Sequence, residues 1–170
     1  MQQPLLIKEN THGTPLEALS ILAMNAKRKK YPSVPIESLP KPKYNDRTAN
    51  GLTRCIIDFL TLKDHQAERI GNTGRMVDNR TTYTDVLGRS RTIGGTEWIK
   101  GTGTDGTADI SATIAGKSVK IEVKIGKDKQ SQKQKEYQAA IERAGGLYFI
   151  AKSFDMFYLW YVKTFEHEQR

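Results

Sequence analysis

The stretch ADISATIAGKSVKIEVK, residues 108–124, decides the fold. Ile110, Ala112 and Ile114 share one face with Val119, Ile121 and Val123, and a period of two belongs to a strand with one buried side. Gly116-Lys117 between the two runs predicts a two-residue turn with glycine first, hence an antiparallel hairpin. In that register Asp109 comes opposite Lys124 and diagonal to Glu122, and all three side chains leave one face. Diagonal neighbours on adjacent strands are roughly 7 to 8 Å apart, close enough for two carboxylates to share a hard cation that relieves their repulsion. Magnesium takes one or two carboxylates and completes its shell with water and phosphate, so Asp109 and Glu122 are candidate ligands. Lys124 is a candidate to orient or deprotonate an attacking water, or to stabilise charge developing on a phosphate. The same three residues also fit the solvated face of a sheet carrying a cross-strand ion pair.

Outward from the hairpin, Gln130 to Ala144 predicts a helix ended by Gly145-Gly146, GLYFIAK a buried strand, and SFDMFYLWYVKTFEHE a last helix. Phe154, Phe157, Tyr158, Tyr161 and Phe165 recur at helical spacing in that helix, beside Trp160 and Val162. They read as a core stripe or, if left uncovered, as a surface for homodimerisation. Towards the N-terminus, TTYTDVLGRSRTI reads as a second hairpin followed by a glycine-rich run to Gly106, GNTGR as a turn and QAERI as a short strand. Asn50 to Lys63 carries Leu52, Ile56, Ile57, Phe59 and Leu60 at helical spacing and is expected to pack on the core. Four prolines between Tyr31 and Lys43 predict an extended wrap. Thr14-Pro15-Leu16-Glu17 is a capping box with proline at the first helical position, opening a helix that can run to Lys30. Residues 1–13 are expected to be disordered. The expected division is therefore an arm with a short helix and proline-rich linker over residues 1–46, and a mixed α/β domain over residues 47–170.

The 170 residues suffice for one domain with a sizeable core. No apolar run approaches the roughly 20 residues that cross a bilayer, and the N-terminus lacks a secretory pattern. Cys55 is the single cysteine, and His12, His65 and His167 are scattered, so neither an intramolecular disulfide nor zinc spacing is present. A reducing compartment is expected, the cytoplasm, which would be the bacterial host's if a phage encodes the chain. A net charge of +8 favours a polyanionic partner.

GTADI, IEVK, SQKQKEYQ and AGGLYFIA follow one another in the order and approximate spacing of the PD-(D/E)XK nucleases, and the chain most resembles their VRR-NUC branch and its phage-type relatives. The resemblance covers about Gly101 to Trp160 and reaches weakly back to Asn50. It implies a restriction-endonuclease-like core, a mixed sheet flanked by helices, that cuts DNA phosphodiesters with magnesium or manganese. Asp109 matches the family's aspartate, Glu122 and Lys124 its E-x-K pair, and Gln134 the glutamine that opens the next helix. The carbonyl of Val123, between the pair, would also face the metal. An acidic residue often found in the family's first helix is matched by Asn50, which carries less charge to a metal, and Glu68 on QAERI is another accessory candidate. Ala108 stands where a proline is usual. Gln134 also completes a capping box with Ser131, a purely structural role.

Residues 117–143 hold eight Lys or Arg against four acids. Arg75, Arg80, Arg89 and Arg91, read as loop residues, and Lys127 and Lys129 are expected to contact DNA phosphates. The expectation is a metal-dependent deoxyribonuclease, by family analogy on branched or flap DNA. The alternative is a catalytically inactive DNA-binding protein on the same fold, which Asn50 keeps open.

Overall fold

The computed structural model describes residues 13–71, 74–101 and 103–166, so all but the last residue of the stretch 1–13 expected to be disordered, and the last two residues of the predicted final helix, lie outside the described residues. Helix α1, Pro15–Lys30, starts where its capping box demands: Thr14 accepts the Glu17 N–H at 3.3 Å, and Glu17 accepts the Thr14 N–H at 2.9 Å. Lys27 to Lys30 fill its last turn, opposite the helix's negative end. The proline segment opens with a turn closed by the Val34 N–H to Tyr31 O bond at 3.2 Å, and makes a 3-10 turn at Ile36–Ser38. Helix α2, Ala49–Leu62, is capped by Thr48, and Gly51 in its first turn lies so close to the Asn45 carbonyl that any Cβ would collide with it.

Among the described residues eight strands follow, interrupted by one helix. They are β1 Gln66–Arg69, β2 Arg75–Asp78, β3 Thr81–Thr84, β4 Ser90–Ile93, β5 Thr96–Ile99, β6 Ile110–Ile114, β7 Lys117–Val123 and, after helix α3 Gln132–Arg143, β8 Leu147–Ala151. Helix α4, Phe154–Tyr161, closes the fold and continues as a π-helical turn, Val162–Glu166. The central sheet has the order β1-β6-β7-β8, antiparallel except for the parallel β7–β8 pair that α3 connects. This is a mixed sheet flanked by helices.

The alternating residues of β6 and β7 divide the two sides. Ile110, Ala112, Ile114, Val119, Ile121 and Val123 face a core completed by α1, α2 and α4. Leu19, Ala23 and Met24 of α1 are buried, and Leu19 belongs to the same cluster, so this helix is part of the main body and does not stand away as an arm. The aromatic stripe of α4 is consumed inside: Phe154, Phe157, Tyr161 and Phe165 are all buried, leaving Met156 and Leu159 as that helix's exposed apolar residues. Most of the stripe is thus core, as one of its two expected roles requires.

The hairpin register differs from the expected one. Ile110 pairs with Ile121 and Ile114 with Lys117, so the turn is Ala115-Gly116, and continuing the ladder puts Asp109 directly opposite Glu122, not opposite Lys124. A slip of two residues preserves every side chain's face. Both turn residues have positive φ, 48° at Ala115 and 78° at Gly116, as in the twisted turn that favours Asn-Gly. Alanine is strained there, at a cost of roughly 1 kcal/mol. Ala115→Asn is expected to raise the melting temperature by about 1 to 4 °C; a lower one in a thermal melt would show that the turn is not of this kind.

The second hairpin is also longer than its sequence suggested. β2 pairs with β5 (Asp78↔Thr96) and β3 with β4 (Thr81↔Ile93), and Asn79 N–H donates to Gly95 O at 2.9 Å between them, all in one continuous register. The stretch read as a glycine-rich run thus contains a strand, with Gly94 at φ 88° marking the irregularity.

Candidate active site

The sheet's other face carries Lys120 and Glu122 of β7 and Lys124 just beyond its end, and the crossover helix α3 lies over this side against β8. Glu122 is 1% exposed and Lys124 7%, so the pair is not the solvated sheet face that the alternation also allowed. Lys124 Nζ lies 3.1 Å from Glu122 Oε1 and 3.3 Å from Asp128 Oδ2. Gln134 Nε2 donates to the same Oε1 at 2.6 Å, and the Tyr148 hydroxyl donates to Oε2 at 3.4 Å.

Gln134 both caps α3 and reaches Glu122. Its Oε1 accepts the Ser131 N–H at 2.9 Å while its own backbone N–H donates to Ser131 Oγ at 3.3 Å, which closes the capping box. With the amide oxygen committed to a backbone donor, the amide nitrogen must face Glu122. The helix cap thus aims the side chain.

Asp109 is held by a break in the ladder. The Val123 N–H donates to Asp109 Oδ2 at 2.8 Å, and on the other side Ile70 N–H donates to Asp109 O at 2.8 Å. A strand residue's N–H and C=O point to the same side, so the Val123 carbonyl also faces the Asp109 side. Glu68 pairs with Ser111, which puts it on the site's face of the edge strand, diagonal to Asp109, where it is exposed. Asn50 is exposed in the first turn of α2, the helix that covers the apolar face, and none of the site's hydrogen bonds among the described residues involves it.

Burial, and then the Asp109 charge, push Glu122 above the usual carboxylate range despite its bonds to Lys124 and Tyr148. Burial opposes the Lys124 charge, but the bonds and charges of Glu122 and Asp128 outweigh it and raise that ammonium above the usual lysine range. Tyr148 is pushed up by burial and by the Glu122 charge, so its hydroxyl stays a donor at neutral pH.

The donor set fits a hard divalent cation. Each carboxylate has one oxygen in a short hydrogen bond, which leaves Asp109 Oδ1 and the weakly bonded Glu122 Oε2 for a ligand. No group of three or more Asp, Glu, His or Cys side chains suited to a metal occurs among the described residues, so water or substrate oxygens would complete the shell.

Lys127 and Lys129 are exposed on the loop between β7 and α3, and Lys129 lines a cleft of about 180 Å³ with Lys124, Asp128, Gln130, Ile150 and Lys152. Of the four arginines expected on loops, Arg80 and Arg89 lie in the short connections between strands, whereas Arg75 is on β2 and Arg91 on β4. All four belong to the β2–β5 ribbon, where Arg80 pairs with Asp78, and Arg89 and Arg91 with Asp85. Tyr148, Asp128 and Lys152 were not singled out from sequence. The alternation of GLYFIAK could have found Tyr148, since the strand's second residue falls on the face opposite its buried partner Ala151. Among the described residues no helix is long and apolar enough to cross a membrane. No family model matches the chain and no curated protein matches it.

Proposed function

We propose that the protein is a metal-dependent deoxyribonuclease with a restriction-endonuclease-like core. The observation that carries this reading is the meeting of Asp109 and Glu122 at opposed positions of one hairpin, with Lys124 Nζ at 3.1 Å and Gln134 Nε2 at 2.6 Å from the same Glu122 oxygen. The sheet order and the α3 crossover into parallel β8 support the core that the motif order implies.

Asp109, Glu122 and the Val123 carbonyl would hold Mg²⁺ or Mn²⁺, which when bound supplies Lewis-acid stabilisation of phosphate charge and acidifies a water. Lys124 stands beside the carboxylates, positioned to bind a nonbridging phosphate oxygen or to orient the attacking water. Gln134 and Tyr148 hold the Glu122 side chain in place, and Lys127, Lys129 and Lys152 border the approach with positive charge.

The test is incubation with supercoiled, single-stranded and four-way-junction DNA in magnesium, manganese or chelator. Cleavage that requires the metal and disappears with Asp109→Asn is the expected result. Salt-sensitive retention of DNA with no cutting in either metal would favour the inactive binding protein instead.

A further inference from the structure

The ribbon Arg75–Ile99 is the largest part of the molecule that this site leaves unused. Its register continues from Arg75↔Ile99 to the Asp85 N–H bond with Arg89 O at 2.9 Å, a length of roughly 34 Å at strand spacing. Its strands pack extensively only on one another, and Met76, Tyr83, Ile93 and Trp98 are exposed along it. A two-stranded ribbon bare on both faces is marginally stable in water, so a working state that covers it is expected.

Its roots point to what that cover is. β1 ends one residue before Ile70, whose N–H is bonded to Asp109 O, and β5 returns through Asp105, which is paired with Lys100 and with Lys133 of α3. Gly106, at φ 82°, then lies against the Lys133 backbone with no room for a side chain. The ribbon therefore leaves the body between the candidate carboxylates and the start of α3, where a DNA backbone at the site would run past it.

The far end has the chemistry of a wedge. Val86 is fully exposed and Leu87 is 70% exposed in a three-residue connection closed by Gly88 at φ 75°. Behind them Asp85 accepts the Leu87 and Arg89 N–H groups and the Nε of both Arg89 and Arg91, which stiffens the apex. Each of these guanidinium groups spends its Nε there and keeps its two outer nitrogens for a ligand. The ribbon's cations are four arginines and no lysine, the side chain suited to a narrow groove of high negative potential.

We propose that this ribbon lies in a groove of duplex DNA beside the cleaved phosphodiester, with Leu87 and Val86 inserted at a base step that they unstack and bend. Strands are among the elements that proteins place in the minor groove, and apolar side chains flanked by arginines are the means by which they kink a duplex from that side. The proposal rests on the nucleic-acid reading of the site. Its test is run in chelator, so that cutting plays no part, on a duplex carrying dyes at its ends and 2-aminopurine within. The full-length wild-type protein shortens the end-to-end distance and brightens the 2-aminopurine, whereas Val86→Ser/Leu87→Ser, folded with an unchanged melting temperature, loses both signals and about tenfold in affinity. Arg91→Ala lowers the slope of log affinity against log salt by about 1. Unchanged bending and affinity in the apex variant overturn the proposal, as does an apex variant that only converts a dimer into a monomer in sedimentation. Bending without any metal-dependent cutting supports the ribbon and sinks the nuclease reading; cutting with no apex effect does the reverse. Failure of the wild-type protein to bind duplex DNA overturns both.

Discussion

Lys124→Met is expected to remove most cleavage and to weaken the fold together. Loss of a preorganised positive donor at a reacting phosphate lowers kcat by about a hundredfold to a thousandfold. The structural cost has a separate cause: the ammonium is the buried partner of Glu122, and removing one member of a buried pair costs about 3 kcal/mol because the other charge is left behind. The sign of its pH dependence follows from Glu122, whose folded-state pKa is already raised by burial and by Asp109. A carboxyl raised on folding carries no penalty at pH values below its unfolded pKa, where both states are protonated, and destabilises progressively as the pH rises through the folded value. The variant should therefore lie close to wild type in urea melts at acidic pH and fall behind it at neutral pH, with chelator present throughout. Equal stability at both pH values would mean that the Glu122–Lys124 pair is not the buried one described, and wild-type cleavage would remove Lys124 from the mechanism.

Phe59→Ala is expected to destabilise the protein by about 3 to 5 kcal/mol. Phe59 is fully buried and meets four rings edge-on, Phe154 at 5.7 Å, Phe157 at 6.1 Å, Tyr158 at 5.6 Å and Tyr161 at 5.0 Å. Edge-to-face contacts add to the area term, and the cavity left behind is bordered by rigid rings that collapse poorly. In a chain of this size the loss corresponds to a melting temperature lower by about 6 to 20 °C. A drop of no more than about 2 °C would show that α2 and α4 are not joined through this side chain.

The helices were the most legible part of the chain. Thr14 with Glu17, and Ser131 with Gln134, are local signals whose donors and acceptors lie three residues apart, and both boxes form as written. The apolar stripes of α2 and α4 mark their buried faces because a helix of this length can bury only one side. The ribbon was harder to read. Its strands β2 and β5 are four residues each and carry Asp78, Glu97 and exposed Met76 and Trp98, so they lack the half-buried alternation that announces a strand. Only their cross-strand pairing makes them strands.

The sequence by itself determined which residues share a face. Side chains alternate along a strand with a period of two, so Asp109, Glu122 and Lys124 stay together in either register, opposite the apolar set. Tertiary structure alone decided that Asp109 stands opposite Glu122, because that depends on which two residues take the positive-φ turn and on the Val123 N–H that captures the Asp109 carboxylate. It also decided that Glu122 and Lys124 are buried. Their desolvation comes from α3 and Tyr148, folded back over the sheet from beyond the hairpin, and no pattern within the hairpin encodes what will cover it.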